Sequence, residues 1–276
     1  MSSLRIPEFH SGSINGSTTP RAFIVDASYM QYRAHYVTEQ RQSYTKEGIP
    51  NAAVLLLRKM LDKLKRDYSP DVMVAGCDSA SPTFRKKLYA DYKANREAPP
   101  ADYAAQRPGF LESFNKEQIP TFAAEGFEAD DVIGTLAKQY SEQGHDVTII
   151  SGDKDMNQLV SISHDNGCVS VLNTNKNRLL GPFEVLEVFG VWPHEIPDYL
   201  ALVGDTSDNI PGAKGIGPKG AVELIKQFGC VEEMIQRAGE ISSGHLRHNV
   251  VIYKEWILLS KKLTVIDCAA PIQRTS

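Results

Sequence analysis

The stretch Val147-Thr148-Ile149-Ile150-Ser151-Gly152-Asp153-Lys154-Asp155 is an apolar, β-branched run that ends in a serine–glycine turn and two aspartates. Ala22-Phe23-Ile24-Val25-Asp26 and Val72-Met73-Val74-Ala75-Gly76-Cys77-Asp78 repeat the pattern. Short runs of this kind, bounded by turn residues and separated by helix-length segments, predict buried parallel strands. An open α/β sheet places its ligand crevice beyond the carboxyl ends of the strands. Asp26, Asp78, Asp153 and Asp155 are therefore expected at one rim. Carboxylates gathered there repel one another unless cations neutralise them. Oxygen ligands without a matching set of His or Cys favour Mg²⁺ or Mn²⁺ over zinc. The pattern points to metal-dependent phosphoryl-transfer chemistry.

Outward from these strands the chain reads as α/β, with a mostly parallel sheet flanked by helices. Tyr29, Tyr32 and Tyr36 recur at helical spacing after the first strand. Residues 51–67 predict an amphipathic helix, with Ala53, Leu56, Leu57, Met60, Leu61 and Leu64 on one stripe. Residues 79–120 form a long, proline-interrupted connection carrying Arg85, Lys86, Lys87, Lys93, Arg96 and Arg107, and a connection of that length is commonly functional. The run 169–173 is read as the last strand, and the pattern turns helical after Gly181-Pro182. Three parts are expected: a flexible extension over 1–20, an α/β core over 21–180, and a helical region over 181–276.

The 276 residues suffice for one large domain or two modest ones. A net charge of −4 does not advertise nucleic acid, so the local placement of basic residues must decide. Cys77, Cys168, Cys230 and Cys268 make no C-x-x-C pair, which argues against a zinc site or a disulfide framework and for a reducing cytoplasm. No apolar run approaches the roughly 20 residues that cross a bilayer, and no signal-peptide core is expected at the N-terminus.

Glu128-Ala129-Asp130-Asp131 opens an apolar helix. Acids in a first turn complement the helix dipole, so capping is one reading. Three acids in four residues exceed what capping needs, and metal binding is the other. Asp205 and Asp208 read either as turn or cap residues or as a pair facing one way from a single turn. Gly212-Ala213-Lys214-Gly215-Ile216-Gly217-Pro218-Lys219 follows, and then an amphipathic helix to Phe228. Gly212, Gly215 and Gly217 permit a tight hairpin whose backbone N–H groups cradle a phosphate diester, with Lys214 and Lys219 beside it. No strand leads into it, as a dinucleotide fingerprint requires, and the Gly-Lys-Ser/Thr ending of a P-loop is missing.

From about residue 22 to 263 the ordered motifs resemble the 5′-nuclease family, the 5′→3′ exonuclease domain of bacterial DNA polymerase I and the stand-alone flap endonucleases. They are Val25-Asp26, Asp78-x-x-x-Pro82-x-Phe84-Arg85, Tyr92-Lys93-x-x-Arg96, Glu128-Ala129-Asp130-Asp131, Asp153-Lys154-Asp155, Gly204-Asp205-x-x-Asp208-Asn209 and Gly212-x-Lys214-Gly215-Ile216-Gly217. The resemblance implies a PIN-like nuclease core, a helical arch over 79–120 and a helix-hairpin-helix over 197–228. It assigns Asp26, Asp78, Glu128 and Asp130, with Asp131 close by, to a first Mg²⁺, and Asp153, Asp155, Asp205 and Asp208 to a second. Mn²⁺ is expected to substitute. Asp26, Asp78 and Asp130 are also counted as catalytic through the metal they hold. Lys93 and Arg96 match arch residues that contact the scissile phosphate, and Arg85 is the adjacent match. Tyr32 and Arg33 match an aromatic and a basic residue near the first metal, with base stacking by Tyr32 as one reading. Lys214 and Lys219 match hairpin contacts to DNA, where relatives often hold K⁺. The implied activity is two-metal hydrolysis of DNA at 5′ flaps and 5′ ends by a cytoplasmic monomer in replication and repair.

Three rival readings use the same acids differently. A PIN-type ribonuclease also collects acids at strand ends, but it is usually shorter and lacks the glycine hairpin. A haloacid-dehalogenase-type phosphatase wants its Asp-x-Asp early in the chain. A non-catalytic DNA-binding module would use the acids only as caps.

Overall fold

The apolar runs form the strands expected of them. The computed structural model describes residues 19–41, 43–162 and 167–275, so the expected N-terminal extension lies outside the described residues apart from Thr19 and Pro20. The strands β1 (Arg21–Asp26), β2 (Val72–Gly76), β3 (Thr121–Ala123), β4 (Asp146–Ile150), β5 (Val169–Asn173), β6 (Arg178–Leu180) and β7 (Gln273–Arg274) make one sheet in the order β6-β5-β4-β1-β2-β3-β7. The five inner strands are parallel, and β6 and β7 close the two edges antiparallel. Strand β2 lies on one side of β1 and β4 on the other. The order reverses there, so the crevice opens beyond Asp26 and Ser151.

Helix α1 (Ala27–Thr38) leaves β1 at once, with Asp26 as its N-cap accepting from the Tyr29 N–H. Helix α2 (Ala52–Tyr68) buries Ala53, Leu57, Leu61 and Leu64, the stripe read from the sequence. The 79–120 connection divides in two. Its first half holds the short α3 (Phe84–Leu88) and a turn through Arg96. Its second half, α4 (Ala101–Lys116), is a core helix, because Tyr103, Phe110 and Phe114 fall on one face and pack with Leu57 and Leu61. The span expected to arch over the site thus shortens to about residues 79–100.

Helix α5 (Ala129–Glu142) lies against β2 at Gly76. A Cβ there would stand 2.6 Å from Ile133 Cγ1 and 3.3 Å from the Ala129 carbonyl. This close approach carries the acidic first turn of α5 to Asp78, whose Oδ1 accepts from the Ala129 N–H at 3.0 Å.

The remaining helices are α6 (Pro182–Phe189), α7 (Ile196–Val203), α8 (Pro218–Phe228), α9 (Val231–Gln236), α10 (Gly244–Ile252) and α11 (Lys254–Thr264). One apolar cluster runs from Ile24, Val147 and Ile149 in the sheet to Leu200, Leu224 and Ile257 in these helices. The boundary expected near residue 180 is therefore a change of pattern along the chain, with no gap in the core. Strands β3, β6 and β7 escape the sequence reading because runs of two or three residues are too short to show a period. Among the described residues no helix is long and apolar enough to cross a membrane.

Gly76→Ala is expected to push α5 off the sheet and cost about 1–3 kcal/mol, as overpacking does. Thermal unfolding of the two proteins checks this. An unchanged midpoint would remove the close-approach argument.

Candidate active site

Asp26 ends β1 and is buried. Its Oδ1 accepts from the Tyr29 N–H at 2.9 Å and its Oδ2 from the Ser151 hydroxyl at 2.7 Å. Burial pushes its carboxyl up to about 7; those two hydrogen bonds oppose the rise, and the charges of Asp153 and Asp78 add to it. Asp78 is exposed, with Oδ2 accepting from Ser28 Oγ at 2.8 Å. Asp130, on the first turn of α5, is held well above the ordinary carboxylate range by burial and then by Asp153, against the relieving charge of Lys93. These acids feel one another's charge from three different strand ends and a helix start, which is the convergence the sequence predicts.

The second group forms where β4 ends. Ser151 Oγ accepts from the Asp153 N–H at 3.1 Å, and Asp153 Oδ1 from the Asp155 N–H at 3.0 Å, which orders the turn into a 3₁₀ helix at Asp155–Leu159. Asp155, Asp205 and Asp208 are buried, and a carboxylate oxygen from each lies within 4.8 Å of the others. Asp155 Oδ1 is buried with no hydrogen-bond partner among the described residues. Burial and then the charges of Asp153, Asp205 and Asp208 hold Asp155 well above its ordinary range. Three converging carboxylates with one orphaned oxygen fit a divalent cation, whose hard charge would satisfy that oxygen. Asp205 differs: burial raises its carboxyl, but hydrogen bonds from Ser207 and Lys154 outweigh this and hold it low.

Basic side chains from the 79–100 span reach both groups. Lys93 Nζ lies 3.0 Å from Glu128 Oε1 and 3.6 Å from Asp208 Oδ2, and Arg96 pairs with Asp208. The Tyr92 hydroxyl sits between Glu128 Oε2 at 2.9 Å and Asp208 Oδ2 at 3.2 Å. Burial and then those two charges push the Tyr92 phenol far up, so it stays protonated as a donor.

The glycine hairpin lies between α7 and α8. Gly212 has φ +60°, and a Cβ there would meet the Gly204 nitrogen at 2.4 Å. Ala213 and Ile216 anchor the loop in the core while Lys214, Gly215, Gly217 and Lys219 are exposed. Gly215 also has positive φ; Gly217 is the extended N-cap of α8.

Residues 21–190 match the N-terminal resolvase-like domain of 5′-3′ exonucleases, and residues 191–276 match their C-terminal SAM fold. The chain belongs to the 5′-3′ exonuclease family. It is 38% identical over 214 residues to the 5′-3′ exonuclease of Aquifex aeolicus, covering 78% of this chain and 72% of that one. It is 36% identical over 250 residues to DNA polymerase I of Bacillus caldotenax, covering 91% of this chain and 28% of the polymerase. The chain thus spans under a third of that relative. The bacteriophage T5 flap endonuclease in complex with DNA and metal ions shares the fold, with a TM-score of 0.72 at 22% identity over 90% of this chain and 89% of that one.

Four residues expected at the site make their contacts within the protein. Asp131, expected near the first metal, is fully buried and faces away, taking Arg85 through both oxygens at 2.7 and 2.8 Å. Arg85, expected to contact DNA, is 2% exposed; it also donates to the Leu263 and Val265 carbonyls at 2.8 and 2.7 Å. The pair is a buried strut between α3, α5 and the end of α11. Tyr32, expected as a stacking platform for bases, has Tyr103 flat against it at 4.3 Å and Tyr36 at 6.2 Å. Arg33 donates to the Thr174 carbonyl at 3.1 Å. Conversely, the sequence reading gave no role to Ser28, Ser151, Tyr92, Lys154 or Ser207. Ser28, Ser151, Lys154 and Ser207 lie in or beside an acidic motif and Tyr92 opens the basic Tyr92-Lys93-x-x-Arg96 motif, and that adjacency is the available signal.

Asp131→Asn should leave the Arg85 charge poorly paired and cost about 3–5 kcal/mol in urea unfolding. Normal stability with weakened DNA binding would instead restore Arg85 to the surface. The raised Asp26 carboxyl gives a second expectation. Folded Asp26 keeps a proton that the unfolded chain, with its ordinary value of 3.8, has already released. Metal-free protein should therefore lose stability as pH rises from about 4 to about 8, and Asp26→Asn should flatten that slope. Melting temperatures across pH in EDTA decide the matter.

Proposed function

We propose that this chain is a structure-selective 5′ nuclease that hydrolyses DNA phosphodiesters at 5′ flaps and free 5′ ends. The observation that carries the reading is the buried Asp155–Asp205–Asp208 trio, with an Asp155 oxygen that has no hydrogen-bond partner among the described residues, facing the basic Lys93–Arg96 segment. Asp26, Asp78, Glu128 and Asp130 would hold one divalent cation, and Asp153, Asp155, Asp205 and Asp208 a second. Mg²⁺ is the expected ion, with Mn²⁺ able to replace it. Bound there, such ions supply Lewis acidity and acidify water for attack on phosphorus.

The chain's own residues do the rest. Lys93 and Arg96 neutralise charge that builds on the phosphate. Ser151 and Tyr29 orient Asp26, while Ser28 and the Ala129 N–H orient Asp78. The hairpin at Gly212, Gly215 and Gly217, with Lys214 and Lys219, grips duplex backbone without reading bases. K⁺ at that hairpin is carried by the resemblance alone. The span over 79–100 selects a free 5′ end, and the products carry 5′-phosphate and 3′-hydroxyl. A monomer acting in replication and repair in the cytoplasm completes the reading; four free cysteines accord with a reducing compartment.

Product mapping on a labelled 5′-flap DNA, with Mg²⁺, Mn²⁺ or EDTA, tests this. The expected result is metal-dependent cleavage near the flap junction, and cleavage of single-stranded RNA in its place would favour the ribonuclease reading. Asp153→Asn with Asp155→Asn should abolish Mg²⁺-dependent cleavage while flap binding stays measurable; normal turnover would sink the metal assignment. Lys93→Ala should lower kcat by at least about 100-fold with a much smaller change in DNA affinity. Equal losses in both would make Lys93 a binding residue.

A further inference from the structure

Asp208 is claimed twice. Its Oδ1 pairs with Arg96, and its Oδ2 faces the Tyr92 hydroxyl at 3.2 Å and Lys93 Nζ at 3.6 Å. The same carboxylate belongs to the trio with Asp155 and Asp205. Both Asp208 oxygens are thus already held from the 79–100 span, and a cation entering the trio meets one of these partners first.

The two segments are also latched through the backbone. The Lys93 N–H donates to the Asp208 carbonyl at 2.9 Å, Asn209 Nδ2 to the Asp91 carbonyl at 2.7 Å, and Asn95 Nδ2 to the Thr206 carbonyl at 2.6 Å. Lys93 adopts φ +55°, a left-handed conformation that this docking imposes on a residue with a side chain. The latch keeps Arg96 beside Asp208 whichever partner the carboxylate takes.

We propose that Arg96 is an internal counter-cation that competes with the second divalent ion for Asp208, so that metal occupancy there and phosphate binding by Arg96 favour each other. This rests on the nuclease reading above and adds a coupling to it. A divalent ion that takes Asp208 Oδ1 releases a guanidinium whose planar fork matches phosphate oxygens. In reverse, a DNA phosphate that draws Arg96 away uncovers the Asp208 charge for the metal. Coupling between two binding events is reciprocal, so each tightens the other by the same factor. Arg96 fits this role better than Lys93. Lys93 keeps Glu128 at 3.0 Å if Asp208 is lost, whereas Arg96 is half exposed and, among the described residues, its side chain keeps the Ser207 carbonyl at 3.4 Å.

Mn²⁺ binding to the full chain without DNA, followed by electron paramagnetic resonance, tests the competition. Arg96→Gln should tighten the weaker Mn²⁺ site by roughly 5–10-fold. Arg96→Lys should fall between it and the wild type. Arg107→Gln, which removes the same charge from the exposed face of α4, should change it less than about twofold. An Arg96→Gln protein that binds the second Mn²⁺ with unchanged or weaker affinity overturns the proposal, as does equal tightening by Arg107→Gln. If the wild type and all variants bind no Mn²⁺, the metal reading of the site falls and takes this inference with it.

Discussion

Crowded negative charge organises this molecule. Nine carboxylates are delivered to one end of the sheet by strand ends, a helix start and the loop before the hairpin, in an interior where like charges repel strongly. The structure meets that repulsion in three ways. Asp26 is pushed towards its protonated form. Lys154 lies 3.0 Å from Asp205, and Lys93 and Arg96 lie over Glu128 and Asp208. Asp131 is turned out of the group altogether and neutralised by Arg85.

Capping and site building turn out to share residues. Asp26 caps α1 while holding its other oxygen toward Ser151. At the start of α5, the Glu128 N–H donates to Asp131 Oδ2 at 3.0 Å and the Asp131 N–H to the Glu128 carbonyl at 3.1 Å, so Asp131 caps the helix from its first turn. The two readings of that tetrad are therefore divided along it. Asp131 serves the helix and the Arg85 strut, while Glu128 and Asp130 face Lys93 and the neighbouring acids. A metal assignment that takes every acid of such a motif counts one that the helix needs for itself.

Most of the inner sheet was legible because β1, β2 and β4 are long, apolar and closed by turn residues. The acids at their ends were legible as a consequence of strand polarity, and the helix at 51–67 through its period. What escaped was information carried by contact. Nothing in Phe84-Arg85-Lys86-Lys87 distinguishes the one cation that is buried from the exposed pair beside it. Tyr103 becomes the partner of Tyr32 only after α4 folds onto α1, so a ring that looks free in the sequence already carries a neighbour on one face. Hydroxyls such as Ser28, Ser151 and Tyr92 matter through one or two hydrogen bonds each, and their place beside a motif does not say which carboxylate they hold.

The short strand β7 has a consequence for measurement. Gln273–Arg274 returns from the last helices to lie along β3, and the Thr275 N–H donates to the Thr121 carbonyl at 2.8 Å. The chain thereby stitches its closing segment to the far border of the sheet, across the apolar cluster that already joins both halves. A hairpin fixed to that frame stands at a set separation from the carboxylates. Under the proposed nuclease reading, that frame would act as a ruler, and the register of a cut would be counted from the duplex at the hairpin instead of from any base.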